Sequence, residues 1–286
     1  MILVTGATGN TGGAALRALA EQGAEVRALA HDPDKLKAPA GVDVVAGDFR
    51  DAASLDAALA GADHAYLVGP SQQDQIALET AFVQAAQRAG LAHLVRLSII
   101  GADQPGADAM RFGAAHAAME RVVRDSGIPW TFLRANGFMQ NNLSQAQTIA
   151  GQGAFYSSSS PAARVSYVDA RDIGTMAAKV LTEPGHEGQA YHLTGPEALS
   201  DDDIAARLSE VLGRTISHVQ VPWEGVRESF VGSGFPEWNV DGFKELMDLY
   251  ETGAAAGVYP DIERLLGRPP RTFAKFAGDH RAAYGG

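Results

Sequence analysis

Three glycines spaced three apart, Gly6, Gly9 and Gly12, follow a short apolar run in Met1-Ile2-Leu3-Val4-Thr5-Gly6-Ala7-Thr8-Gly9-Asn10-Thr11-Gly12-Gly13. The order is strand, tight turn, helix. It lays backbone N–H groups and a helix N-terminus against a pyrophosphate. Glycine lets the turn take positive φ and removes the Cβ that would keep a ligand away. Thr8 stands where the common dinucleotide fingerprint has its second glycine, and no Lys-Ser/Thr follows, so the segment is not a nucleotide-triphosphate loop. Gly6, Thr8, Gly9, Asn10, Thr11 and Gly12 are the expected cradle.

Further chemistry is expected just after each later strand, where α/β sheets bind ligands. His31 and Lys35 are placed to take a 2′-phosphate, which favours NADPH over NADH; Asp32 read as the ribose acid would favour NADH instead. Asp48 and Phe49 suit an adenine, the carboxylate accepting from the amine and the ring stacking on the side chain. Val68, Gly69 and Pro70 pass close to a ribose. Ser98 stands where the short-chain dehydrogenases/reductases that the glycine loop resembles place a catalytic serine or threonine, and the resemblance implies that role for it. No Tyr-x-x-x-Lys pair follows; Tyr167 with Arg171 is the nearest approach and lies elsewhere in the chain. In its place stand His116 and Glu120, four apart on one helix face. A carboxylate beside an imidazole favours the imidazolium, which makes His116 a proton donor or ribose ligand; the bland alternative is a solvated surface pair. Asn136, Gly137 and Phe138 would lie beside a nicotinamide, with Phe138 and Asn141 toward the substrate. Trp223, Phe230, Phe235 and Trp238, in a stretch broken by Gly232, Gly234 and Pro236, read as a pocket lid.

The elements that must position these groups alternate. Apolar runs at residues 2–4, 26–30, 42–46, 65–68, 94–100 and 130–133 are separated by helix-like segments at 13–22, 54–60, 75–89 and 109–124. That alternation predicts a Rossmann-like, doubly wound parallel sheet. After residue 137 it breaks down: 15 of the 21 aromatics lie in residues 138–286, which marks a change of character. The expected division is a dinucleotide-binding domain over 1–137 and a smaller, mostly helical substrate lobe over 138–286 that covers the strand ends. Segments near 164–193 return to the first domain. Residues 157–160 read as a loop, 164–168 as a strand, 171–181 as a helix, 190–193 and 217–221 as strands.

A net charge of −11 gives no electrostatic footprint for nucleic acid. The absence of cysteine excludes disulfides, thiolate metal sites and a cysteine nucleophile. No metal site is expected. No apolar run approaches the roughly 18 residues of a membrane helix, and Met1 all but begins the first strand, so a cytoplasmic protein is expected.

The glycine loop, Ala46-Gly47-Asp48-Phe49 with Asp51, His116-x-x-x-Glu120, the run from Ser126-Gly127-Ile128-Pro129 to Leu133-Arg134, and Gly185-His186-Glu187-Gly188 with Tyr191 together resemble the NmrA-like branch of the atypical short-chain dehydrogenases/reductases. Within that branch the chain is similar to the bacterial quinone-reductase and triphenylmethane-reductase relatives, and the likeness covers nearly the whole chain. The resemblance implies an NADPH-using reductase without a tyrosine acid, handling flat, conjugated acceptors: a quinone, dye, enone or imine. His31 departs from the family's usual arginine. A stabilised product needs no strong protein acid, so catalysis reduces to holding donor and acceptor in near-attack geometry. Two other readings stay open, a non-catalytic NAD(P) redox sensor and an isomerase or epimerase.

Overall fold

Short runs of Val, Leu, Ile and Ala become strands that are buried on both faces in the middle of the sheet, as a parallel sheet between helical layers requires. The computed structural model describes residues 1–286 and divides into two units, Met1–Ala135 with Ala170–Leu193, and Asn136–Asp169 with Thr194–Gly286.

The first unit alternates β1 (Ile2–Val4), α1 (Asn10–Glu21), β2 (Val26–Ala30), β3 (Asp43–Ala46), α2 (Ala52–Leu59), β4 (His64–Leu67), α3 (Gln75–Arg88), β5 (His93–Ile99), α4 (Arg111–Asp125) and β6 (Trp130–Ala135). The chain then enters the second unit with α5 (Ala146–Gln152) and β7 (Ala154–Ser157), and returns with α6 (Ala170–Thr182) and β8 (Gln189–Leu193). Seven strands run parallel in the order β3-β2-β1-β4-β5-β6-β8. Strand order reverses between β1 and β4, the switch point at which such sheets take ligands. One face carries α2, α3 and α4, whose Leu55, Leu59, Phe82 and Met119 share a core with Leu3, Leu67, Leu94 and Phe132. Against α1 lies α6, so closely that a Cβ on Gly174 would fall 2.5 Å from the Ala14 carbonyl carbon. Small residues permit this approach: Ala14 and Ala15 on α1, Gly174 on α6.

The second unit continues with α7 (Asp201–Leu212), β9 (Ser217–Gln220), α8 (Trp223–Gly232), α9 (Glu237–Glu251), α10 (Asp261–Leu266) and α11 (Phe273–Asp279). Its core gathers Ile149, Phe155, Leu208, Phe273, Phe276 and Tyr284. β7 and β9 pair in parallel. No helix is long and apolar enough to cross a membrane.

Two expectations are corrected. Residues 164–168 form no strand; Val165 and Val168 make isolated bridges to Leu199 and Phe138. The stretch is held instead by side chains, Ser166 Oγ donating to the Gly257 carbonyl at 2.6 Å. The serine run is no free loop either. Ser157 ends β7, where its hydroxyl meets Asp201 at 2.5 Å and His218 Nε2 at 2.9 Å, and Ser160 is bonded through its N–H and hydroxyl to Glu251.

Candidate active site

The glycine loop is fixed from below by a threonine. Thr5 Oγ accepts from the Val68 N–H at 2.8 Å and donates to the Val68 carbonyl at 3.1 Å, which ties the end of β1 to the end of β4. Gly6 has φ +61°, and a Cβ there would sit 2.9 Å from the Val68 side chain. A Cβ on Gly12 would fall 2.2 Å from the Gly6 carbonyl oxygen. Only glycine at both positions lets the turn close on the helix. α1 then begins at Gly9 with no side-chain cap and no acidic residue in its first turn. The start of α7, by contrast, is closed by the Ser200–Asp203 capping box. Uncapped N–H groups at the positive end of a helix dipole fit a pyrophosphate. Thr8 and Asn10 are exposed there, whereas the Thr11 side chain is buried, leaving it only its backbone to offer.

Beyond β2, His31 is largely exposed, with Nδ1 3.7 Å from Asp48; Lys35 is paired with Asp32 at 3.0 Å. Asp48 also accepts from the Arg50 N–H at 2.9 Å. The partly buried Phe49 ring packs against the core and tilts on Phe82, centroids 5.7 Å apart. Gly69 has an internal reason for being glycine. A Cβ there would lie 2.3 Å from Glu79 Oε1. Val68 and Pro70 flank it, partly buried.

Arg96, Ser98 and Arg134 stand on the face of β5 and β6 that α4 covers. Ser98 Oγ donates to Glu120 Oε1 at 2.7 Å. Arg134 forks onto the same carboxylate at 2.9 and 2.7 Å and reaches Asp103 at 2.6 Å, while Arg124 adds a contact at 2.8 Å. Burial pushes the Glu120 carboxyl up, but the bonds from Arg134 and Ser98 and the Arg134 and Arg124 charges outweigh it and leave it below its ordinary value. Ser98 is therefore corrected from a catalytic hydroxyl to a buried structural one.

The expected His116–Glu120 pair is also corrected. Glu120 belongs to Arg134, and the Nδ1 of His116 faces Arg96 NH1 at 3.2 Å. Burial, and then the Arg96 charge, hold the imidazole pKa well below its ordinary value. His116 is a neutral ring, not an imidazolium.

In the second unit, Asn136 spends its amide on Ser166 Oγ and the Ala255 carbonyl, both at 2.8 Å, and its carbonyl accepts from the Gly137 N–H. It is a staple between the segments at residues 136, 166 and 255. A Cβ on Gly137 would fall 3.0 Å from the Tyr167 ring and 3.2 Å from the Tyr250 hydroxyl. Burial raises both phenol pKa values, so both stay protonated. Phe138 is partly exposed and Asn141 exposed. Phe230 and Phe235 gather on Phe243 with centroids 5.0 and 5.5 Å away, and Trp223 lies 6.4 Å from Phe230; Trp238 stands on the first turn of α9. No residue of α8 is buried.

Sequence reading missed Thr5, Glu79, Arg96, Tyr250 and Phe243. A charged residue inside an apolar strand, as Arg96 is within His93–Ile99, was the one available signal: such a residue needs a buried partner.

Residues 1–275 match the NmrA-like family, and the chain belongs to it. Over its full length it is 40% identical to the NAD(P)H azoreductase of Xenophilus azovorans, covering 99% of that protein. It is 38% identical to the (4-alkanoyl-5-oxo-2,5-dihydrofuran-3-yl)methyl phosphate reductase of Streptomyces griseus, with 99% of each chain covered. Among solved structures it is similar to an NADPH-dependent quinone oxidoreductase of Escherichia coli complexed with NADPH, with TM-score 0.86 and 25% identity over 99% of this chain and 100% of that one.

Proposed function

We propose that the chain is an NAD(P)H-dependent reductase of conjugated small molecules (quinones, dyes, enones or imines) with NADPH the preferred donor. The observation that carries the reading is the uncapped start of α1, closed by Gly6 and Gly12 so tightly that no side chain fits. Its relatives include an azoreductase and a quinone oxidoreductase, whose acceptors are conjugated. Bound along the first unit, a reduced nicotinamide dinucleotide supplies the hydride.

The residues of this chain then have limited tasks. The loop N–H groups from Thr8 to Gly12 hold the pyrophosphate. Asp48 takes the adenine amine, and exposed His31 meets the 2′-phosphate, with no carboxylate on Ala30 to oppose it. His116, neutral, offers one N–H as a hydrogen-bond donor but has no cationic proton to release. Acceptors whose reduced form is stabilised by delocalisation suit that chemistry, and a simple ketone does not. Phe138, Asn141, Trp223, Phe230, Phe235 and Trp238 are the proposed acceptor contacts.

The test mixes the protein with NADPH or NADH and a panel of quinones and azo dyes and follows loss of nicotinamide absorbance. Turnover of several panel members, faster with NADPH, is expected. Tight dinucleotide binding with no turnover of any acceptor would replace the reductase with a redox sensor.

A further inference from the structure

Arg96 lies inside the first unit's sheet with 1% of its side chain exposed, and its partner Glu79 is equally buried. Isolated buried charges are costly, so such a pair persists only with good geometry and further hydrogen bonds. Both conditions hold. Arg96 Nε donates to Glu79 Oε2 at 2.7 Å and NH2 to Oε1 at 3.1 Å, a bidentate fork. Gln75 Nε2 donates to Glu79 Oε1 at 2.6 Å. The missing Cβ of Gly69 leaves room for that oxygen. Carboxylate and guanidinium are thus held from three sides, which leaves one guanidinium nitrogen free of the fork.

That nitrogen, NH1, points at His116 Nδ1, 3.2 Å away. A guanidinium has donors and no acceptor. Nδ1 must therefore present its lone pair, and the ring proton must sit on Nε2. A proton on Nδ1 would set N–H against N–H beside a fixed positive charge.

The charged groups on the elements around α4 do not reverse this. On α3, Glu79 is engaged by Arg96, and Arg88 pairs with Asp56. On β6, Arg134 is engaged by Glu120 and Asp103; on α4 itself, Glu120 turns to Arg134, Ser98 and Arg124. Asp108, on the short 3-10 turn before α4, is exposed.

We propose that Arg96, aimed by Glu79, is a positioning residue that fixes His116 as the neutral Nε2–H tautomer and so makes it a hydrogen-bond donor of constant charge. The value of this donor to turnover rests on the reductase reading above; the place of its proton does not. A constant donor can bond a developing oxygen or nitrogen anion on the acceptor without acid–base titration in the physiological range.

The test reads the ring directly. Long-range 1H–15N correlation spectra of the cofactor-free protein, with His116 assigned by its loss in His116→Gln, should show a pyridine-like Nδ1 and a pyrrole-like Nε2 throughout the ordinary histidine range, roughly pH 5 to 8. In Glu79→Gln/Arg96→Met both charges are removed together, so neither is left buried alone. There His116 should mix tautomers and titrate, and kcat should gain a histidine limb in its pH profile while NADPH affinity stays within about twofold. Loss of a preorganised donor lowers kcat by up to roughly 100-fold. Glu79→Met/Arg96→Met removes both charges and every donor at these positions, and should show the same ring behaviour if the first double variant does not fold. A proton on Nδ1, a wild-type ring that titrates in that range, or an unchanged tautomer in the folded variants overturns the proposal. The expected tautomer in a protein that turns over no acceptor would leave Arg96's role standing and remove the reductase.

Discussion

Glu120 follows His116 by one turn of α4, yet its carboxylate accepts from Arg134 at 2.7 Å and leaves the imidazole to Arg96. Helical spacing puts two side chains on one face, but strand partners beneath the helix decide where each one turns. The carboxylate serves the fold, and the imidazole stays neutral.

Glu120→Gln should destabilise the protein by about 1.5–3 kcal/mol, because it weakens the two charge-assisted bonds from Arg134 while Asp103 still faces that guanidinium. Urea unfolding at neutral pH measures it. The pH dependence has a definite sign. The folded Glu120 and Asp103 carboxyls lie below their ordinary values, so their contribution is present above the ordinary carboxylate range and lost as pH falls through the folded values. The variant should show a shallower acid limb. An unchanged urea midpoint would mean the network contributes nothing.

His93 gives a second acid limb at higher pH. Its Nε2 donates to Thr131 Oγ at 2.8 Å, since that hydroxyl donates onward to the His186 carbonyl. Burial first, then the charge of His64, lower its pKa from 6.5 to about 4. The unfolded chain therefore binds the extra proton first. Stability is whole above pH 6.5 and falls toward pH 4, by at most about 3 kcal/mol. His93→Gln, which keeps an N–H donor but cannot charge, should flatten that interval in urea midpoints taken across it; an equally steep loss in the variant would assign the limb elsewhere.

Gly12→Ala should abolish dinucleotide binding, because the added methyl falls 2.2 Å from the Gly6 carbonyl oxygen. The strain is roughly 1–3 kcal/mol. Gly151→Ala on α5 is the control: nothing lies within 4 Å of its Cβ, so it should add roughly 0.5–1 kcal/mol of stability and leave binding alone. Nicotinamide fluorescence titrations of both variants decide it, and normal binding by Gly12→Ala would refute the loop assignment.

His31→Arg should raise the preference for NADPH over NADH about tenfold, as one charge-assisted hydrogen bond to a phosphate is worth about 1.5–3 kcal/mol. The position is open enough to accept the longer side chain without repacking. Kd ratios for the two cofactors before and after substitution test it; an unchanged ratio would move the phosphate away from residue 31.

The parallel sheet was legible because each strand is a short apolar run with a helix behind it, and the glycine loop because tight turns have few solutions. The helix following residue 170 and the strand ending at Leu193 were legible for the same reason. The charged row under α4 was not. Which partner Glu120 takes depends on Arg134, fourteen residues on and brought alongside by strand pairing, and no helical periodicity encodes that. Residues 164–168 look like a strand in composition, but Ser166 and Asn136 bind the backbone through side chains, a choice that alternation does not reveal. The pairing of Phe49 with Phe82, thirty-three residues later, is likewise a long-range contact that no local pattern encodes.

The close fit of Gly174 on Ala14 sets an order of assembly during synthesis. When residue 135 leaves the ribosome, six strands of the seven-stranded sheet exist, but α6 and β8 do not. α1 then lacks its helical neighbour, and β6 offers an open edge to any other nascent strand. Both gaps close only after the 34 residues from Asn136 to Asp169 have been made. A gene cut after Ala135 would therefore yield an aggregating fragment, and the dinucleotide-binding unit is best expressed from the intact reading frame.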